Sequence, residues 1–328
     1  MTPPASDAHA APGRVRVFGG ILATDRPLPG LPAAAIGEDS PVFWSLVTCD
    51  VPHGTVGHSD GLQPVGRLTY SDGTLVTRAT RESGEEISIS DTGRFTLRGP
   101  HGVITHDAPV AVDRAAAALD LIGVVLPYAL HLSGAWCIHA SAVLTATGAI
   151  AFVAPRGTGK STLAMACMRA GCALVADDVV VLRSAAGTVT VTPSGLPLRV
   201  HERTAQTVGA ATDAADEWGK VRISGRLAAH DVALAAIYVL SPVDASAPVE
   251  RAPRATRAAA LALLANGKIT ELLGADAAGD ALSRCVELAH ATPVYDLAVP
   301  RDLDRLRDVT TALLGWHDAP PSATRTVA

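Results

Sequence analysis

One stretch, 149–182, limits what this chain can fold into more than any other. An apolar run, Ala149 to Val153, ends in Ala154-Pro155-Arg156-Gly157-Thr158-Gly159-Lys160-Ser161. That loop opens onto a second apolar segment, Thr162 to Met168. A further apolar run, Ala173 to Ala176, stops at Asp177-Asp178. The order predicts strand, glycine loop, helix, strand and acidic pair, which is the layout of a phosphate-binding P-loop. Gly157 and Gly159 let the backbone turn closely about an anion, and the N–H groups of the helix start point at it. Lys160 supplies a mobile charge for β- and γ-phosphates. The Ser161 hydroxyl suits Mg²⁺, and Thr162 caps or packs the first turn. The strict pattern asks for glycine where Ala154 stands, and alanine serves there only at negative φ.

The acidic pair narrows the chemistry. One carboxylate can hold Mg²⁺ and the other can take a proton from a hydroxyl nucleophile. A lone aspartate would suit a generic ATPase; a pair suits transfer to a hydroxyl. Arg156 lies inside the loop, within reach of phosphate or of solvent. Lys220 and Arg222 flank a short predicted strand and either close over a nucleotide or form a solvated edge. Position in sequence does not bring His139 to the loop.

The rest of the chain supplies context. Segments at 14–22, 42–47, 67–70, 74–79 and 85–90, with two more near 95 and 102, are short and separated by turn residues such as Ser71-Asp72-Gly73 and Ser83-Gly84. They predict a small antiparallel β-rich subdomain over 13–110. The apolar stretch 112–132 predicts a helix broken near Pro127, with Asp113 in its first turn. It contains Asp120 and Pro127, so a buried helix fits it better than a membrane span. Residues 135–144 predict one strand. Further strands are expected at 189–192, 221–223, 233–240 and 293–299, and helices at 257–264, 277–289 and 303–314. With the 112–132 helix these complete a second domain over 111–315. Residues 1–12 and 316–328 have the composition of loose tails.

Composition excludes some classes. Lys plus Arg number 27 against 32 Asp plus Glu, a formal charge of -5, so no basic excess points to nucleic acid. The five cysteines lack disulfide or zinc-finger spacing and read as reduced core thiols, as in a cytoplasmic protein.

Three blocks resemble a known family: His139-Ala140-Ser141-Ala142-Val143, then Ala151 through Leu163, then Ala170-Gly171-Cys172-Ala173-Leu174-Val175-Ala176-Asp177-Asp178. In order and spacing they are similar to the C-terminal catalytic domain of HPr serine kinase/phosphorylase. Leu28-Pro29-Gly30-Leu31, the helix before His139 and the segment 292–314 resemble the HPr-kinase-related proteins of biosynthetic clusters, the lasso-peptide precursor kinase type. The resemblance implies an α/β fold with a mixed sheet, a P-loop kinase core shared in style with phosphoenolpyruvate carboxykinase. It implies ATP and Mg²⁺, with phosphate at Pro155, Arg156, Gly157, Thr158, Gly159, Lys160, Ser161 and Thr162. It implies Asp177 as proton acceptor, Lys160 and His139 beside it, and Ser161 and Asp178 on the metal. The family's second, Arg-Gly-rich signature has no clear counterpart, which leaves phosphorylase activity and recognition of the usual carrier protein open. The expected activity is ATP-dependent phosphorylation of a serine-type hydroxyl on a peptide, protein or biosynthetic intermediate. A small-molecule hydroxyl kinase and a non-catalytic nucleotide-binding assembly protein are the alternatives. No membrane partner is expected. The family's hexamers leave homo-oligomerisation open for this chain.

Overall fold

The computed structural model describes residues 13–34, 40–52, 63–82, 84–207, 215 and 219–318. The two expected tails (1–12 and most of 316–328), residues 35–39 and 53–62, Ser83, and residues 208–214 and 216–218 lie outside the described residues. The chain divides into two compact units, Met1–Gly134 with Ile269–Ala278, and Ala135–Lys268 with Gly279–Ala328.

The first unit is built on β1 (Gly13–Val17), β2 (Gly20–Thr24), β3 (Val42–Val51), β4 (Gly66–Thr69), β5 (Leu75–Arg81), β6 (Gly84–Ile89), β7 (Gly93–Leu97) and β8 (Gly102–Pro109). They form one sheet in the order β1-β2-β3-β8-β7-β6-β5-β4. The predicted single strand at 14–22 is a hairpin. Phe18 and Gly19 take φ of 48° and 81°, the left-handed pair that a two-residue turn requires. The sheet is also mixed, since β3 runs parallel to both β2 and β8. Alternation along a strand reports which face is buried and says nothing of its direction, so the sequence pattern could not show this.

Helix α1 (Arg114–Asp120) begins at Asp113, which is the cap itself and accepts from the Ala115 N–H at 2.8 Å. The expected break at Pro127 is absent. A π-turn over Leu121–Val125 leads into α2 (Leu126–Leu132), and Pro127 sits in the first turn of α2. The Leu126 N–H reaches back five residues to Leu121 O, so the helical turns continue past the proline through this wider turn. Together 114–132 are long and apolar enough to cross a membrane by length and composition, with a mean hydropathy of 1.7. Here 61% of that stretch is buried in the protein. Arg78, nearly buried, is a hub of this unit. It donates to Leu272 O at 2.7 Å and Tyr128 Oη at 3.0 Å, and pairs with Glu85 at 2.8 Å.

The second unit contains β9 (Trp136–Ile138), β10 (Ala140–Thr145), β11 (Gly148–Val153), α3 (Lys160–Arg169), β12 (Ala173–Asp177), β13 (Val180–Ala185) and β14 (Thr188–Thr192). A ribbon of β15 (Leu198–His201) and β16 (Lys220–Ile223) follows, with the short α4 (Glu202–Thr207) between them. Then come β17 (Val232–Val243), β18 (Arg251–Pro253), α5 (Thr256–Ala265), α6 (Ala275–Ala291, most of it in this unit), β19 (Val294–Pro300) and α7 (Leu306–Gly315). The main sheet runs β12-β10-β11-β17-β14-β13-β9, with β19 on β17 and β18 on β19. It is mixed: β11, β17 and β19 are parallel, while β10 is antiparallel to both β11 and β12. The expected strand over 135–144 is two strands that join different neighbours, β9 on β13 and β10 on β11 and β12, with His139 at the corner.

Leu163 and Met165 of α3 share one buried cluster with Val143, Ile150 and Phe152 of the sheet and Val309 and Leu313 of α7. Full burial of each such side chain contributes about 1.5–3 kcal/mol, so the start of α3 is held in place by a dry core.

Candidate functional site

Strand direction fixes where the site lies. Because β10 is antiparallel to both neighbours, β11 and β12 point the same way, and their C-terminal ends share one edge of the sheet. Ser141 of β10 sits opposite Phe152 on one side and Asp177 on the other. The loop after β11 and the acidic pair after β12 are thus brought side by side at the strand ends, where ligands of open α/β sheets bind.

The loop itself is shaped by two glycines. Gly157 and Gly159 have φ of 82° and 100°, and a Cβ on either would project into open space. It is therefore the left-handed backbone, and not crowding, that requires glycine there. Ala154 is buried and keeps a negative φ, so the missing first glycine is tolerated. Helix α3 starts at Gly159 with no side chain capping it, which leaves its first N–H groups facing the loop. Lys160 folds over the loop and donates to Ala154 O at 2.9 Å and Pro155 O at 3.2 Å. Burial lowers its pKa to about 8, against the opposing pull of Asp178 and Asp177. Arg156 is exposed.

Asp177 is gripped from several sides. Ser141 Oγ donates to its Oδ1 at 2.6 Å, Ser161 Oγ to the same atom at 2.8 Å, and the Arg199 N–H to Oδ2 at 3.4 Å. Burial pushes its pKa above the ordinary carboxylate range; the Asp178 charge adds to that, and the two serines oppose it.

Asp178 differs in every respect. Its backbone is left-handed at φ 66°, and the Val179 N–H bonds to Asp177 O at 2.8 Å, closing a three-residue turn about it. A non-glycine residue held this way costs about 1–3 kcal/mol, and such strain gathers at functional sites. Its side chain is 56% exposed. His139 Nδ1 lies 3.0 Å from Oδ1 and Lys268 Nζ 2.9 Å from Oδ2. Desolvation tends to raise its pKa, but Lys268 and His139 outweigh that and hold it well below the ordinary range.

The structure therefore gathers Lys160, Ser161, Asp177, Asp178 and His139, all singled out from sequence. Ser141 and Lys268 were missed. Ser141 stood in the sequence two residues after His139, but nothing marked it as facing the acidic pair. Lys268 follows α5 and has no motif around it. Lys220 lies close enough to add to the positive field felt by Lys160, while Arg222 is exposed on the ribbon.

Among the described residues no three or more His, Cys, Asp and Glu side chains gather to hold a metal. Mg²⁺ on a nucleotide needs fewer protein donors, because phosphate and water fill most of its positions. The Ser161 hydroxyl and the Asp177 carboxylate, 2.8 Å apart, are of the donor types such an ion would take, and the loop N–H groups at the start of α3 are of the type a phosphate would take.

No protein-family model matches the chain, and neither does any curated protein sequence. Among solved structures, the Hpr(Ser) kinase/phosphatase from Coxiella burnetii is similar at a TM-score of 0.30 and 12% identity, over 56% of this chain and 99% of that one. At that score the likeness is weak and lends no residue role to this chain. This chain's own architecture is a mixed α/β one with several sheets.

Proposed function

We propose that the protein transfers the γ-phosphoryl group of ATP, with Mg²⁺, to a hydroxyl of a peptide, protein or biosynthetic intermediate, in the manner of an HPr-kinase-like enzyme. The observation that carries the reading is the 2.8 Å hydrogen bond from Ser161 to Asp177. It ties the start of the loop helix to the acidic pair, the junction at which a metal-bound triphosphate and an acceptor have to meet.

The geometry supports an allocation of the two carboxylates opposite to the one the family resemblance implies. Asp177, beside Ser161 and held by Ser141, suits the metal side. Asp178, exposed and oriented by His139, suits the acceptor side. When bound, Mg²⁺ neutralises charge on the β- and γ-phosphates. Lys160 exchanges its two loop carbonyls for phosphate oxygens, and the loop N–H groups hold the chain of phosphates in line. Asp178 takes the proton of the acceptor hydroxyl as that oxygen bonds to the γ-phosphorus. Lys160 and the loop amides take up the charge that collects on the leaving ADP as the old P–O bond breaks.

Mass spectrometry of serine-containing peptides and small hydroxyl compounds after incubation with protein, ATP and Mg²⁺ tests the reading. Phosphorylation of at least one acceptor, lost in Lys160→Ala, is expected. Hydrolysis to ADP with every acceptor unmodified would count against it.

A further inference from the structure

Lys268 reaches the site by a route that no sequence motif announces. Residues 266–268 run beside β9 and the His139 corner. The His139 N–H donates to Asn266 O at 2.7 Å, the Lys268 N–H donates to Cys137 O at 2.9 Å, and Ile138 bridges Gly267. These two backbone hydrogen bonds, which make up the bridge, fix this segment without any help from its side chain. The Lys268 side chain is only 13% exposed, against 56% for the carboxylate it pairs with.

A purely structural reading is an ion pair that fastens the segment to the Asp178 turn. The backbone links already do that, and a pair with so exposed a partner adds little stability. The pair also obstructs the chemistry. Both Asp178 oxygens are engaged, Oδ1 by His139 and Oδ2 by Lys268. An acceptor hydroxyl meets no competition from the ammonium at Oδ2 once Lys268 moves off it. The place for that ammonium to go is set by the surrounding charge. Asp178 adjoins Asp177, which accepts the Ser161 hydroxyl at 2.8 Å, so the Lys268 ammonium, 2.9 Å from Asp178 Oδ2, stands beside the acidic pair that borders the start of the loop helix.

We propose that Lys268 is a second phosphate lysine, which pairs with Asp178 when the site is at rest and shifts to the γ-phosphoryl group of bound nucleotide, freeing Asp178 Oδ2 for the acceptor. The inference rests on the reading of the site as a phosphoryl-transfer centre. It makes arrival of the γ-phosphate and exposure of the proton acceptor one event. Nucleotide lacking a γ-phosphate then leaves Asp178 covered.

The test compares ATP with ADP, each with Mg²⁺, by titration calorimetry on the full chain as wild type, Lys268→Met and Lys268→Arg. Methionine keeps the length of the stem and removes the charge; arginine keeps the charge. Wild type is expected to bind ATP more tightly than ADP, by about tenfold for one charge-assisted contact. Lys268→Met is expected to lose most of that preference with ADP affinity unchanged within about twofold, and Lys268→Arg to retain it. A preference undiminished in Lys268→Met overturns the inference. So does an equal loss for ATP and ADP, which would mark a structural role, or a wild type with no preference. Acceptor phosphorylation is followed in the same preparations. Wild type that prefers ATP but phosphorylates nothing would sink the kinase reading, while the Lys268 contact is still decided by the affinity ratio.

Discussion

Ser161 Oγ donates to Asp177 Oδ1 at 2.8 Å, and so joins the first turn of α3 to the end of β12. Ser161 opens the helix that follows β11 and Asp177 ends β12, two strands that point the same way on either side of β10, so the contact follows from topology as much as from side-chain choice. It divides the acidic pair into an inner carboxylate facing the loop helix and an outer one facing solvent.

That division predicts separable defects. Asp177→Asn is expected to weaken Mg²⁺-dependent ATP binding by about tenfold or more, since a neutral amide is a poor ligand for a hard cation. Asp178→Asn is expected to leave ATP binding within a few fold. Binding of ATP with and without Mg²⁺, measured on both variants, checks the allocation; equal behaviour of the two would contradict it.

Ser141→Ala should be costly for so small a change. The Ser141 hydroxyl is fully buried, and its 2.6 Å bond is the shortest of those holding Asp177. Removing it leaves a desolvated carboxylate short of a donor, at about 1–3 kcal/mol. Urea unfolding should show a lower midpoint with an unchanged slope.

Asp178→Gly should separate stability from function. Glycine accepts φ 66° without strain, which recovers about 1 kcal/mol. The ion pairs lost are those of an exposed carboxylate and offset little of this. Thermal unfolding at or above the wild-type midpoint is expected, together with loss of phosphoryl transfer. A midpoint several degrees lower would show that the turn is not strained.

Two buried histidines set an acid limit on stability. His106 stacks on Phe95 with ring centroids 4.0 Å apart, and its Nε2 lies 2.8 Å from Thr92 O. His317 bridges Tyr238 Oη at 2.7 Å and Thr147 Oγ1 at 2.8 Å. Burial lowers both pKa values below 6.5, and for His317 the Arg251 charge adds to the shift. In the unfolded chain both protonate near 6.5. Between that value and the folded pKa the unfolded state binds more protons, so stability is full above about pH 6.5 and falls as pH drops. Melting temperatures at pH 7.5 and 5.5 should show the fall, and His317→Gln should make it shallower.

The strand, glycine loop and helix at 149–169 were legible because each is specified locally, by an apolar run, by residues that tolerate positive φ and by helical spacing. So were most of the short strands of the first unit, through their turn residues. What sequence did not show is the product of distant pairing. Lys268 meets Asp178 across 90 residues, and Ser141 meets Asp177 across 36. His139 is a corner between two strands that read as one, and only the different neighbours of β9 and β10 separate them. The parallel partners of β3 were hidden for the same reason. Pro127 passed for a helix breaker because the π-turn before it depends on packing rather than on local preference.

The central claim is that this site moves a phosphoryl group to a hydroxyl, with Asp178 receiving the proton. It is tested most directly by single-turnover transfer from γ-labelled ATP to an acceptor, comparing wild type with Asp178→Asn at saturating nucleotide. The account predicts label on the acceptor hydroxyl with wild type, and a rate lower by about 10²–10⁴-fold in Asp178→Asn although ATP is still bound. Transfer at the wild-type rate by Asp178→Asn, or no transfer by a wild type saturated with ATP, would contradict it.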